Sequence, residues 1–277
     1  MPIASSDGVD LYYERRGVGP RLLFLNGSGS TIEGSGLLLG VFARPFDLVA
    51  WDYRGMGRSG LPASPYDMSQ CARDALAVLD AVGWDTARVL GISFGGMVAQ
   101  ELAVTAPQRI ERLALLCTSA GGEGGSSYPL HELERMSEDE RKQTRRQLID
   151  TRFDPEWLAS HPKDRDLVDA MERRAPGPEP GRGQGNRFQL EARRHHDVWD
   201  RLPSISCPTY VACGRFDGIA PPGNSAALAS QIAGSQLHTY EGGHAFLAQD
   251  PRSITDVIDF LEQDTEPGGA APTATGA

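Results

Sequence analysis

The window Val89-Leu90-Gly91-Ile92-Ser93-Phe94-Gly95-Gly96 holds a Gly-x-Ser-x-Gly pattern with an apolar run before it and a helical pattern after it. A serine on so tight a strand-to-helix turn is held in strained backbone that projects its hydroxyl outward, while glycines two residues to either side leave room for strand and helix. The N-terminus of the following helix adds backbone N–H groups and the positive end of its dipole. Ser93 is therefore a candidate nucleophile. A serine hydroxyl is weakly nucleophilic at neutral pH and needs a general base, normally a histidine oriented by a carboxylate. Of the six histidines, His131 and His161 fall in a charged, turn-rich stretch, His195 and His196 in a charged helix, and His238 inside a strand. His244 sits in Glu241-Gly242-Gly243-His244-Ala245-Phe246, a loop between the last strand and the last helix, where the catalytic groups of open parallel sheets collect.

A carboxylate placed between serine and histidine in chain order is Asp217, in Ala212-Cys213-Gly214-Arg215-Phe216-Asp217-Gly218, directly after a strand. An ordinary turn role is its alternative, because Asp before Gly is a common turn dipeptide. Asp200, on a helix ahead of that strand, is the second choice of acid. Negative charge developing on a tetrahedral centre needs two preorganised N–H donors. Phe94 N–H is one, and Ser28 N–H, between Gly27 and Gly29 after Asn26, is the other. The chemistry is acyl transfer and calls for no metal or organic cofactor.

These groups need a scaffold that brings strand ends together. Arg21 to Asn26, Phe46 to Trp51, Ala87 to Ile92, Leu113 to Cys117 and Pro208 to Cys213 are nearly continuous apolar runs, the mark of strands buried on both faces of a mostly parallel sheet. Val9 to Arg16 reads as an edge strand. Helical patterns around Ala75 to Val82, Phe94 to Val104, Gly223 to Ile232 and Ser253 to Leu261 alternate with the strands, Leu237 to Tyr240 among them. That rhythm predicts an α/β fold with helices on both faces of the sheet. It stops after Ser119. The stretch Leu130 to Arg201 reads as helical, broken at Pro155, Pro162 and Pro176 to Gly185. Residues 1–120 and 206–264 are thus expected to form the core, 121–205 an inserted helical cap, and 265–277 a flexible tail. Within the cap, Trp157, Leu158, Phe188 and Trp199 are candidate pocket residues, with ordinary cap packing as their alternative.

The chain has 277 residues and a formal net charge of -10, with 27 Lys plus Arg against 37 Asp plus Glu. An acidic balance argues against nucleic acid as a partner, because phosphate binding is driven by clustered cations. The basic runs Arg141-Lys142 with Arg145-Arg146, and Arg193-Arg194 with His195-His196, read as solvated helix faces. Cys71, Cys117, Cys207 and Cys213 lack metal-ligand spacing and read as reduced, mostly buried thiols. No stretch is apolar enough to span a bilayer, and Met1 to Gly8 is too polar for a secretory segment, so a cytoplasmic monomer or homodimer acting on a small-molecule substrate is expected.

Taken together, the residues resemble the α/β-hydrolase superfamily over about residues 9 to 263, in its capped branch of esterases, lactonases, carbon–carbon bond hydrolases and perhydrolases. The likeness rests on Asp52-Tyr53-Arg54-Gly55-Met56-Gly57-Arg58-Ser59, similar to that family's D-x-R-G-x-G-x-S loop, on the elbow at Ser93, on Cys213 to Asp217, and on Gly242-Gly243-His244. It implies an α/β-hydrolase fold, Ser93, Asp217 and His244 as a triad, and Ser28 and Phe94 as the oxyanion hole, with Asp52 and Arg54 structural. Asn26-Gly27 departs from the frequent His-Gly and also occurs in enol-lactonase-like relatives. The resemblance implies cleavage of a carboxylic ester or lactone; carbon–carbon cleavage or perhydrolysis is the alternative, and a non-catalytic ligand-binding relative a more distant one. A serine at the nucleophile position argues against epoxide opening and dehalogenation, for which relatives use aspartate.

Overall fold

The apolar runs become the centre of the sheet because successive side chains of a strand point to opposite faces and both faces are covered. Val49, Leu23, Val89 and Leu113 lie in register across four strands and face one apolar cluster, while Leu48, Leu22, Leu90 and Ala114 face a second. In the computed structural model, which describes residues 1–173 and 182–264, these strands belong to one eight-stranded sheet. Its strands are β1 (Ile3–Ser6), β2 (Val9–Arg16), β3 (Arg21–Leu25), β4 (Asp47–Trp51), β5 (Ala87–Ile92), β6 (Ile110–Leu116), β7 (Thr209–Gly214) and β8 (Gln236–Tyr240), in the order β1-β2-β4-β3-β5-β6-β7-β8. The pairings β1–β2 and β2–β4 are antiparallel and the rest parallel. The fold expected from the alternating pattern is present.

Five helices flank the sheet: α1 (Gly36–Phe42), α2 (Met68–Ala81), α3 (Phe94–Thr105), and, after the insertion, α8 (Pro222–Gln231) and α10 (Arg252–Glu262), with the short α9 (Phe246–Gln249) between the last two. The α2–α3 side carries the first cluster, and the α1–α10 side the second. The edge-strand reading of Val9 to Arg16 needs correction: β1 pairs outside it, so β2 is interior. Asp7 and Gly8, with φ of 46° and 76°, turn the chain between them, and Asp-Gly is the sequence signal of such a hairpin.

Between β6 and β7 lie α4 (Glu138–Ile149), α5 (Pro155–Ser160), α6 (Pro162–Arg173) and α7 (Arg182–Arg194). The helical stretch is broken at Pro155 and Pro162 as expected, each proline being the first residue of a new helix, which suits a residue with fixed φ and no N–H. Ser137 and Glu140 cap α4 reciprocally. Leu133 and Leu148 bury a narrow apolar face against Ile219 of the core, and Phe153, Leu158 and Val168 form a second small cluster. Residues 174–181 of the Pro/Gly-rich stretch and the proposed tail 265–277 lie outside the described residues. No helix among the described residues is long and apolar enough to cross a membrane.

The D-x-R-G-x-G-x-S loop is held by charge. Asp52 accepts from the main-chain amides of Ile32 and Arg58, while Arg54 clasps the fully buried Asp74 through Nε at 2.7 Å and through Nη2. Removing one member of a buried pair leaves the other charge without compensation. Asp74→Ala is expected to lower unfolding free energy by about 3–5 kcal/mol, whereas Arg54→Met with Asp74→Leu recovers most of the loss; equal destabilisation of both variants in urea titrations would show that the pair does not hold this loop.

Candidate active site

The turn from β5 into α3 leaves almost no space. A Cβ on Gly91 would lie 2.4 Å from the Gly95 carbonyl oxygen, and one on Gly95 would lie 2.1 Å from that of Leu25. Glycine at both positions lets α3 cross directly over the carboxyl ends of β5 and β3. Ser93, at the corner, is forced to φ 55° and ψ −115°, a region L residues rarely occupy. Its amide donates to Leu116 O at 2.8 Å and its carbonyl accepts from Thr118 Oγ1 at 2.8 Å, so β6 holds the strained corner from the side. Ser93 is 7% exposed.

Asp217 and His244 come from the loops after β7 and β8. The His244 Nδ1 lies 3.0 and 2.8 Å from the two Asp217 carboxylate oxygens. Asp217 Oδ1 also accepts from the amides of Ile219 and Ala220, both at 2.8 Å. With Nδ1 donating to the carboxylate, the Nε2 lone pair is left to act as a base. Cys117, a non-glycine residue at φ 43°, ties the parts together. Its thiol is within 4.8 Å of both the Asp217 carboxylate and a His244 ring nitrogen, and it lies against the Ser93 main chain. Burial pushes that thiol well up, Asp217's charge adds to the effect, and the Ser93 amide opposes it. It is a neutral thiol beneath the site. Cys117, Asp217 and His244 are a group among the described residues close enough together to ligate a metal. Nδ1 faces the carboxylate, whose Oδ1 also accepts from two amides.

Sequence reasoning missed the buttress. The end of α4 reaches both loops: His244 N–H donates to Ile149 O at 2.5 Å, Gly218 N–H to Leu148 O at 3.2 Å, and Thr151 N–H to Phe216 O at 2.9 Å. Gln249 Nε2 donates to Asp150 at 2.9 Å. The amphipathic spacing of α4 signalled an apolar face, but main-chain bonds of this kind leave no residue-type signal.

On the other side, the loop after β3 brings Gly27 against Ser93, a Cβ there lying 3.7 Å from Ser93 Cβ. Gly29 N–H donates to Gln189 Oε1 of α7 at 2.7 Å, which anchors the loop to the inserted helices. Phe94 is the first residue of α3, so its N–H has no acceptor within that helix. Asn26 O accepts from Tyr53 OH at 3.1 Å.

Trp157 stacks on His161 with ring centroids 3.6 Å apart, donates through Nε1 to Asp164, and packs with Leu158 in the small cluster of the inserted helices. Trp199 packs on the core beside Gly124, and Phe188 is half-buried on α7. Asp200 is exposed, His238 stacks on Tyr210, and His195 pairs with Glu191. The solvated-face reading of the basic runs holds for Arg141 to Arg146, where Lys142 pairs with Glu138 and Arg146 with Glu172. It fails in part for the second run: Arg193 and His196 are 7% and 6% exposed, because α7 turns one side toward the core.

His196 gives a pH signature. Burial pushes its imidazole from the ordinary value of 6.5 down to about 4; Glu101 opposes this, Arg201 reinforces it and Asp197 opposes it. The unfolded chain thus takes up a proton between pH 6.5 and 4 that the folded chain does not, and stability present above pH 6.5 is lost as pH falls. The contribution reaches roughly 3 kcal/mol at pH 4. Urea titrations across this range are expected to slope less for His196→Gln than for wild type; identical slopes would rule out the buried neutral imidazole.

The family model described as alpha/beta hydrolase fold matches residues 20–251. The chain is 29% identical over 255 residues to a poly(3-hydroxyalkanoate) depolymerase from Ectopseudomonas oleovorans, covering 88% of this chain and 85% of that one. It is 25% identical over 243 residues to 3-oxoadipate enol-lactonase 2 from Acinetobacter baylyi, covering 87% and 88%. In fold it is similar to the crystal structure of the enol-lactonase from Burkholderia xenovorans, with a TM-score of 0.78, 22% identity and coverage of 95% and 100%. With a strand-to-helix elbow, a histidine–aspartate pair at the next strand ends and a match spanning most of its length, this chain belongs to the alpha/beta hydrolase fold family.

Proposed function

We propose that the protein is a serine hydrolase that cleaves a carboxylic ester or lactone of a small organic substrate through an acyl-enzyme intermediate. The observation that carries this reading is the His244–Asp217 pair, with Nδ1 on both carboxylate oxygens, set at the strand ends beside the strained Ser93 corner. Relatives named as an enol-lactonase and a poly(3-hydroxyalkanoate) depolymerase support the same reaction class.

Ser93 Oγ attacks the carbonyl carbon while His244 Nε2 takes its proton. Asp217 holds the ring and stabilises the imidazolium that forms. The oxyanion is met by Phe94 N–H, aided by the α3 dipole, and by Ser28 N–H of the loop seated on Ser93. Collapse expels the alcohol oxygen, which takes the proton from His244; in a lactone it stays tethered. Water activated by the same histidine then attacks the acyl-enzyme, and Ser93 is released with its proton restored.

Catalysis is tested with a short p-nitrophenyl ester. Ser93→Ala is expected to lower kcat by roughly 10⁶-fold and Asp217→Asn by roughly 10⁴-fold. A fluorophosphonate is expected to add one label, located at Ser93 by peptide mass spectrometry. Turnover by Ser93→Ala at the wild-type rate, or labelling elsewhere, would defeat the assignment. A pre-steady-state burst of p-nitrophenol establishes the acyl-enzyme, and its absence under deacylation-limited conditions argues for direct attack by water.

A further inference from the structure

Arg193, at the end of α7, lines a cavity of about 220 Å³ between the inserted helices and the core. Its Nη1 donates to Tyr128 O at 2.7 Å. Its Nε and Nη2 are buried and have no hydrogen-bond partner among the described residues. Those two N–H groups form one edge of the guanidinium, a planar fork that matches the two oxygens of a carboxylate. Elsewhere this chain uses the same edge for that purpose. Nε and Nη2 of Arg15 clasp Asp47 at 2.8 and 2.6 Å, those of Arg152 clasp Asp150 at 2.9 and 2.7 Å, and those of Arg252 clasp Asp250 at 3.0 and 2.7 Å. Arg54 holds Asp74 in the same way.

Among the described residues, no acidic side chain lines the cavity. Ser119 and Ser127, whose hydroxyls lie 2.8 Å apart, share its wall with His131, Arg194 and His196. The His196 ring is buried against the Ser119 main chain. Burial pushes the Arg193 guanidinium down to about 10 with no carboxylate to offset it, so at neutral pH it stays a buried cation. A buried charge without a partner is strongly unfavourable, and this one sits beside space, hydroxyls and other basic groups.

The cavity begins close to the elbow. Met97 lines it and donates its amide to Ser93 O at 3.2 Å; four residues of helix span ~6 Å. Ser119 lies two residues beyond Cys117, whose thiol is against the histidine–aspartate pair.

We propose that this cavity is an anion subsite whose occupant is a carboxylate, and that the substrate is an ester or lactone with a free carboxylate a few carbon atoms from its scissile carbonyl. The second half rests on the hydrolase reading above; the first does not. The carboxylate oxygens accept from Arg193 Nε and Nη2, and a serine hydroxyl of the wall completes their shell.

Two arms test it. In the first, wild type is expected to turn over monomethyl glutarate at least about 10-fold better in kcat/KM than dimethyl glutarate. Arg193→Met is expected to lose about 100-fold on the monoester, in line with truncating one partner of a buried charge pair, and less than about 3-fold on the diester. In the second, glutarate is expected to raise the Tm of wild type, more than inorganic phosphate does, and to leave that of Arg193→Met unmoved. Without ligand, Arg193→Met should melt no lower than wild type, since it removes an uncompensated charge; if it does not fold, Arg193→Gln serves in both arms. Equal glutarate shifts in wild type and variant, no shift in either, or a shift by phosphate alone would overturn the subsite. Equal turnover of the two esters by wild type would overturn the substrate assignment. If no variant turns over either ester while glutarate binding still depends on Arg193, the hydrolase reading fails and the subsite stands.

Discussion

The rest of this structure depends on how closely α3 crosses the ends of β3 and β5. The glycines at 91 and 95 bring backbone to backbone at distances no side chain could share, and that closeness forces Ser93 to φ 55°. Strain of this kind persists only where the surroundings over-determine it. Here β6 does so, through the bonds from Ser93 N–H to Leu116 O and from Thr118 Oγ1 to Ser93 O. The same crossing places the first N–H of α3 beside the serine and sets Met97 one turn away, at the edge of the basic cavity.

A second dependency runs through the inserted helices. Carbonyls of the last turn of α4 accept from the His244 and Gly218 amides, and Asp150 and Thr151 bind Gln249 and Phe216. The histidine–aspartate geometry is thus fixed by the insertion as well as by the sheet. The loop over Ser93 is fixed from the opposite side by Gln189. Covering the site and aligning it are the same act, because the backbone that closes over the strand ends also supplies the bonds that hold the loops.

Charge is distributed to match. The other buried arginines engage their Nε: Arg54 holds Asp74, Arg88 donates to Leu261 O and Arg112 to Gln263 O. Arg193 departs from that rule, and it does so where the insertion meets the core, among hydroxyls and basic side chains. Positive charge is thereby left beside a cavity whose described lining holds no carboxylate.

Much of this was legible in one dimension. The parallel sheet followed from apolar runs whose alternate residues had to face two buried clusters, and Ser93, Asp217 and His244 were singled out as the proposed catalytic residues by residue type, turn context and position at strand ends. Those signals are local: periodicity and turn chemistry act over a few residues, so the chain itself carries them. The β1 hairpin was also local, in Asp7-Gly8, and was overlooked because four residues make a short strand. What the tertiary structure alone decided was every relation between distant segments. Cys117 lies under the pair, α4 carbonyls hold the histidine loop, and Arg193-Arg194-His195-His196, which as a sequence is a uniform basic run, divides into two buried and two exposed residues. Burial depends on what packs against a face, and composition does not record which face of α7 would meet the core.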